Sequence, residues 1–232
     1  DGGAGQDGYV SIEVDPNLAY DTEGTIAEAQ RLHELVDRPN CFVKIPATEP
    51  GLPAIEEMIA RGRSINVTLI FSLERYSEVV EAFQRGLERL VESGGDPGPV
   101  ASVASFFVSR VDTEADRRLD ETGGPDDLKG TLAVANAKLA YQRYKELHSG
   151  ERWEALAAKG ARKQRCLWAS TSTKNPDFRD VLYVEELIGP ETVNTMPEET
   201  IEAFQDHGEV ALTLDQGVDE AERVFQQVAE AG

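Results

Sequence analysis

Cys41-Phe42-Val43-Lys44-Ile45-Pro46-Ala47-Thr48 is an apolar run with a lysine at its centre. It reads as a short buried strand of a parallel sheet. Lysine is almost never fully buried unless it is paired or used. Desolvation disfavours its charged form and lowers its pKa, so the run predicts a neutral amine at Lys44. A neutral amine is a nucleophile toward ketones, which is how Schiff-base chemistry begins.

The flanking runs indicate what surrounds this lysine. In Tyr9–Val14 the apolar Val10, Ile12 and Val14 alternate with Ser11 and Glu13, and in Ile65–Phe71 the apolar Ile65, Val67 and Leu69 alternate with Asn66 and Thr68. Successive strand side chains point to opposite faces, so each polar set shares one face, and Lys44 joins it. An open doubly wound sheet has no reason to line one face with Glu, Lys, Asn and Thr in mid-strand. A barrel with a deep site does. The pattern therefore predicts an α/β fold of the (β/α)8 barrel type, a TIM barrel, with apolar residues against the helices and polar ones inside.

Six strand-like runs are present where such a barrel has eight: Tyr9–Val14, Cys41–Ile45, Ile65–Phe71, Val103–Val108, Cys166–Ser170 and Val193–Met196. Helical spacing fills the intervals. Ile26, Leu32 and Leu35 mark a first helix with Thr25 as its cap. Leu52, Ile55 and Ile59 mark a second, started by Pro53 and closed by Gly62. Tyr76, Val79, Val80, Phe83, Leu87 and Leu90 form one side of a long third helix that ends at Gly94-Gly95-Asp96-Pro97-Gly98-Pro99. Further helices are predicted near Thr113–Leu119, at Leu132–Leu147, around Trp153–Ala158, from Glu198 to about Asp206 and near Val218–Ala229. Asp1 to Gly8 reads as a Gly/Asp-rich loop. No repeat or linker divides residues 1–232, so one domain is expected.

The net charge of -20 argues against nucleic acid or an anionic membrane as partner, and it requires a local cationic pocket for any phosphorylated substrate. No apolar stretch reaches the ~20 residues of a membrane span. Cys41 and Cys166 lack metal or redox spacing and read as reduced core residues of a cytoplasmic protein. His33, His148 and His207 lie on helices or their ends, which disfavours a histidine metal site or triad. No glycine-rich nucleotide fingerprint occurs. An assembly of several copies is compatible with the sequence.

Lys44 with Glu13 is the central candidate pair. A carboxylate beside the amine can move protons on and off a carbinolamine, directly or through a water that Thr68 positions. A Lys–Glu ion pair that merely joins two strands is an equal alternative. Asn66 and Thr68 suit hydrogen bonds to substrate hydroxyls or to other polar groups of the interior. Arg110 closes Ser105-Phe106-Phe107-Val108-Ser109-Arg110 and suits a phosphate, or a rim ion pair with Asp112. Ser170-Thr171-Ser172-Thr173-Lys174 offers hydroxyls, backbone N–H groups and a cation for a phosphate cradle.

Tyr9 to Pro16, Val43 to Thr48, Ile65 to Ser72, Ser105 to Asp112, Trp168-Ala169-Ser170-Thr171 and Asn194-Thr195-Met196-Pro197 together resemble, in order, a bacterial transaldolase of the longer subfamily. The resemblance implies a class I aldolase barrel that needs no metal or organic cofactor. It implies a Schiff base between Lys44 and fructose 6-phosphate or sedoheptulose 7-phosphate. A dihydroxyacetone unit would then pass to erythrose 4-phosphate or glyceraldehyde 3-phosphate, a reaction of the pentose phosphate pathway. By the same resemblance Glu13 relays protons through a water held with Thr68, Asn66 and Ser105 hold the dihydroxyacetone part, and Arg110 and Ser170 bind near the phosphate. Some relatives place an arginine just after the position of Ser170, where Ser172 and Lys174 are the nearest matches here. The family also has two strands before Tyr9, the first with a catalytic aspartate, so an N-terminally truncated barrel with a gap between its first and last strands is expected. A simple aldolase of the same superfamily and an inactive sugar-phosphate-binding fragment are the alternatives.

Overall fold

A computed structural model describes Gly5 and residues 7–231. Most of the expected Asp1–Gly8 loop lies outside the described residues. The strands are β1 (Val10–Glu13), β2 (Cys41–Pro46), β3 (Ile65–Ile70), β4 (Ser102–Phe107), β5 (Arg165–Ala169) and β6 (Val193–Asn194). The helices are α1 (Thr22–Val36), α2 (Gly51–Ala60), α3 (Leu73–Glu92), α4 (Ser109–Thr122), α5 (Leu132–Leu147), α6 (Gly150–Ala157), α7 (Leu182–Glu186), α8 (Glu198–His207) and α9 (Val218–Ala231). The fold is α/β, and among the described residues six strands follow the order β1-β2-β3-β4-β5-β6. β1 pairs with β2, β2 with β3, and β5 with β6, all in parallel. Sequential strands with helical crossovers produce this arrangement.

The chain divides into two compact units. The first takes the described residues up to Ile70, together with Glu74–Ser105 and Glu146–Arg165. The second takes Phe71–Leu73, Phe106–Lys145 and the described residues from Cys166 onward.

In the first unit Val43, Ile45, Ile65 and Val67 from the strands are fully buried, as are Ile55, Met58 and Ile59 of α2 and Val79, Val80, Phe83 and Leu87 of α3. Each such side chain contributes about 1.5–3 kcal/mol relative to exposure. Gly86 lets α2 and α3 approach closely, because a Cβ there would stand 2.7 Å from Glu56 O and from Ile59 Cβ. The cap of α1 is Asp21, whose carboxylate accepts from Gly24 N–H at 2.9 Å. Thr25, expected as that cap, lies inside the helix and donates to Leu18 O at 2.9 Å. Likewise α2 starts at Gly51, two residues before the expected Pro53, which still occupies the first turn where no N–H is required. Gly62 follows its end at φ 73°, as a left-handed stop requires.

In the second unit α5 buries Ala133, Ala135, Ala137, Ala140, Tyr141 and Tyr144. Trp168 of β5 meets Phe106 edge-to-face at 6.2 Å. α4 is longer than the predicted Thr113–Leu119, because its first turn carries polar residues that tertiary contacts satisfy. α7 has five residues, too few for periodicity to reveal. Leu69 breaks the expected strand alternation: its φ is 61° and it is 44% exposed, so it does not join the buried apolar set of β3.

Candidate active site

Parallel pairing places Glu13 of β1 opposite Lys44 of β2, and Lys44 opposite Asn66 of β3. Registered residues of neighbouring strands present their side chains on the same face. Lys44 Nζ lies 2.8 Å from Glu13 Oε1. Asn66 continues the polar row in both directions: its Oδ1 accepts from Ser105 Oγ at 2.7 Å and its Nδ2 donates to Ser11 Oγ at 3.1 Å. Ser11, Glu13, Lys44, Asn66 and Ser105 thus come together from four strands. Thr68, two residues beyond Asn66, is buried and makes no side-chain hydrogen bond among the described residues.

The burial of this row is graded. Asn66 and Ser105 are almost fully enclosed, whereas the side chains of Lys44 and Glu13 are 25% and 60% exposed. The expectation of a fully buried lysine is therefore corrected. Its neighbours Val43 and Ile45 are at 0%, but β1 stands at the end of the strand order and leaves the Glu13 side of the pair open. Chemically, a primary amine stands beside a carboxylate that can exchange protons with it, next to an amide and hydroxyls that suit a polyol. Ser11 was not singled out as a site residue, although its two-residue spacing from Glu13 carried the signal.

The second unit holds the remaining candidates. Ser170 follows β5 in a left-handed conformation, φ 59°. Its Oγ lies 2.8 Å from Ser109 Oγ, and its carbonyl accepts from Ser109 N–H at 3.0 Å. Arg110 places its guanidinium carbon 4.9 Å from the centre of the Phe107 ring and has no ion pair among the described residues. The suggested Arg110–Asp112 pair is not formed. Asp112 is buried and instead accepts from Tyr183 OH and from Ala133 N–H, each at 2.7 Å. Burial pushes its carboxyl up to about 6, against those two bonds, which favour the charged form. Lys174 donates to Ser172 Oγ at 2.7 Å. Thr171, fully buried, donates to Asn194 Oδ1 at 2.7 Å.

His33 is buried in α1, and burial together with the Arg63 charge lowers its pKa to about 4. His148 accepts from Gln164 N–H at 3.3 Å and meets Trp153 edge-on at 4.9 Å. His207 lies 2.9 Å from Asp180 and 3.2 Å from Asp206, whose hydrogen bonds raise its pKa. Cys41 and Cys166 are buried and are not joined in a disulfide. Among the described residues no group of three or more His, Cys, Asp or Glu is placed to hold a metal ion, and no helix is long and apolar enough to cross a membrane.

Comparison with known proteins places the chain in a family. The model of the family described as Transaldolase/Fructose-6-phosphate aldolase matches residues 4–232. A protein of Frankia alni named Transaldolase is 57% identical over 235 residues, which cover 100% of this chain and 63% of the relative. One of Acidothermus cellulolyticus with the same name is 63% identical over 205 residues, 88% of this chain and 55% of the relative. Transaldolase 1 of Streptomyces avermitilis is 61% identical over 212 residues, 90% of this chain and 56% of the relative. The chain thus spans less than two thirds of the length of these curated relatives. On the family match and these identities, the chain belongs to the Transaldolase/Fructose-6-phosphate aldolase family.

Proposed function

We propose that the chain carries the Schiff-base machinery of a transaldolase, with Lys44 as nucleophile. The observation that carries this reading is the registered Glu13–Lys44–Asn66 row, in which the amine has a carboxylate at 2.8 Å and a buried amide on its other side. Lys44 attacks the ketone carbon of fructose 6-phosphate or sedoheptulose 7-phosphate. Glu13 supplies and removes the protons needed to expel water from the carbinolamine, through a water held with Thr68. Carbon–carbon cleavage then leaves a dihydroxyacetone enamine on Lys44, held by Asn66 and Ser105. That unit passes to erythrose 4-phosphate or glyceraldehyde 3-phosphate, a pentose phosphate pathway reaction. Arg110, Ser170 and Lys174 are assigned to the phosphate. For Arg110 the support is its freedom from acid partners in a strongly acidic chain.

We further infer that the six strands belong to the eight-stranded barrel of the class I aldolases. The unbroken strand order and the polar row on one face support this reading. Cys41 and Cys166, buried and not joined in a disulfide, fit a reducing compartment such as the cytoplasm. The family description names a transferase and an aldolase, and only acceptor transfer separates them.

The test is borohydride reduction in the presence of fructose 6-phosphate, followed by peptide mass mapping and an acceptor-transfer assay. A reduced adduct on Lys44 and growth of an added aldose phosphate by three carbons are expected. An adduct with release of free dihydroxyacetone and no transfer assigns the simple aldolase. A folded chain without an adduct on Lys44 overturns the Schiff-base role in this chain.

A further inference from the structure

Asp112 is 2% exposed and sits in the first turn of α4, in the same turn as Ser109 and Arg110. A carboxylate in that position has lost its water and has no cation partner among the described residues, which is unfavourable unless its oxygens are bonded. Both are bonded, and each bond reaches a different helix. Oδ1 accepts from Ala133 N–H in the first turn of α5, where the orphan amides of the helix favour a negative charge. Oδ2 accepts from the hydroxyl of Tyr183 in α7, itself 1% exposed. Asp116, one turn further along α4, accepts from Gly130 N–H at 2.9 Å.

An apolar side chain would fill this space without the desolvation penalty. Two directed bonds of 2.7 Å do something packing does not: they fix the azimuth and height of the first turn of α4 against α5 and α7. Three groups depend on that turn. Ser109 meets Ser170 through its hydroxyl at 2.8 Å and its N–H at 3.0 Å. Arg110 leaves the same turn and lies over Phe107, whose ring centre is 5.1 Å from that of Phe71. That contact sets the guanidinium against the ring, and the backbone beneath it is held by Asp112.

We propose that Asp112 is a positioning residue: by tying the first turn of α4 to Ala133 and Tyr183, it aims Arg110 and the Ser109–Ser170 pair at the phosphate ester of the substrate. This rests on the phosphate role proposed above for Arg110 and Ser170.

The experiment titrates the whole chain and its Y183F, D112N and D112A variants with inorganic phosphate, fructose 6-phosphate and fructose. The readout is the Arg110 side-chain Nε–H resonance, assigned with R110K, alongside circular dichroism. Phosphate and fructose 6-phosphate shift this resonance in the unmodified chain. Affinity for both falls about tenfold in Y183F and D112A, as expected when a clamping group is displaced by a fraction of an ångström. D112N, which keeps the shape and an acceptor for Ala133 N–H, recovers part of the loss. Fructose binding is unchanged throughout, and in turnover the loss appears in KM with little change in kcat. If the resonance responds in the unmodified chain but Y183F and D112A bind phosphate as tightly, Asp112 has no positioning role. If it does not respond even in the unmodified chain, the phosphate role of Arg110 fails and this inference falls with it. Should D112A not fold, Y183F decides, since it removes a single oxygen.

Discussion

Lys44 Nζ and Glu13 Oε1 stand 2.8 Å apart across the β1–β2 pair, and the two residues are partners in the strand register. The pair is only partly buried, at 25% and 60% side-chain exposure. Exposed or half-exposed ion pairs contribute about 0–1 kcal/mol to stability. The ion pair is therefore a small part of what holds β1 to β2, and removing it tests the proposed role of the amine separately from stability.

Lys44→Arg keeps the charge and removes the nucleophilic amine. The expected outcome is loss of the borohydride adduct, with the unfolding free energy in urea changed by no more than about 1 kcal/mol. An adduct that persists on another lysine, or a variant that unfolds, contradicts the assignment.

Asn66 is 5% exposed and uses both amide atoms, toward Ser11 and Ser105. Asn66→Ala leaves the buried Ser105 hydroxyl without its acceptor, and the expected cost is about 1–3 kcal/mol. Ser105→Ala orphans one amide oxygen, and the double variant should cost less than the sum of the two. Additive losses in urea unfolding would show that the two side chains do not act as a bonded pair.

Leu69 holds φ 61° at 44% exposure. A left-handed backbone is worst for β-branched residues and free for glycine. The expected order of stability is Leu69→Gly at or above Leu69→Ala, with Leu69→Val lowest by about 1 kcal/mol or more. Thermal unfolding with Val above Gly would mean that side-chain packing governs the position.

His33 is held neutral, its pKa lowered to about 4 by burial and by the Arg63 charge. With an unfolded value near 6.5, its contribution is fully present above about pH 6.5 and is lost as pH falls through about 4, in total about 3 kcal/mol. Asp112 has the opposite sign. Its carboxyl is raised to about 6, so the stability it contributes is present below about 4 and lost as pH rises through about 6. Urea unfolding of His33→Gln from pH 7 to 4 should therefore fall less with acid than the unmodified chain. Equal slopes would remove His33 as the acid-sensitive group.

The alternation in Tyr9–Val14 and Ile65–Phe71, with the lysine in its apolar run, set Glu13, Lys44, Asn66 and Thr68 on one face, and apolar periodicity marked six strand-like runs with helical connections. These features follow from side-chain period and burial, which are local properties of the chain. Ser105 entered only through the family resemblance. The left-handed turn at Leu69, the partial exposure of Lys44, the bonds of Asp112 to Tyr183 and Ala133, and the contact of Arg110 with the Phe107 ring were not legible. Tyr183 lies 71 residues from Asp112. Such a bond has no spacing signature, because packing between elements alone decides which buried acceptor meets which donor. The sequence by itself determined where the strands lie and which polar side chains alternate along β1 and β3. The tertiary structure decided how deeply each is buried and which group holds it in place, because desolvation and hydrogen-bond partners are set by neighbours distant along the chain.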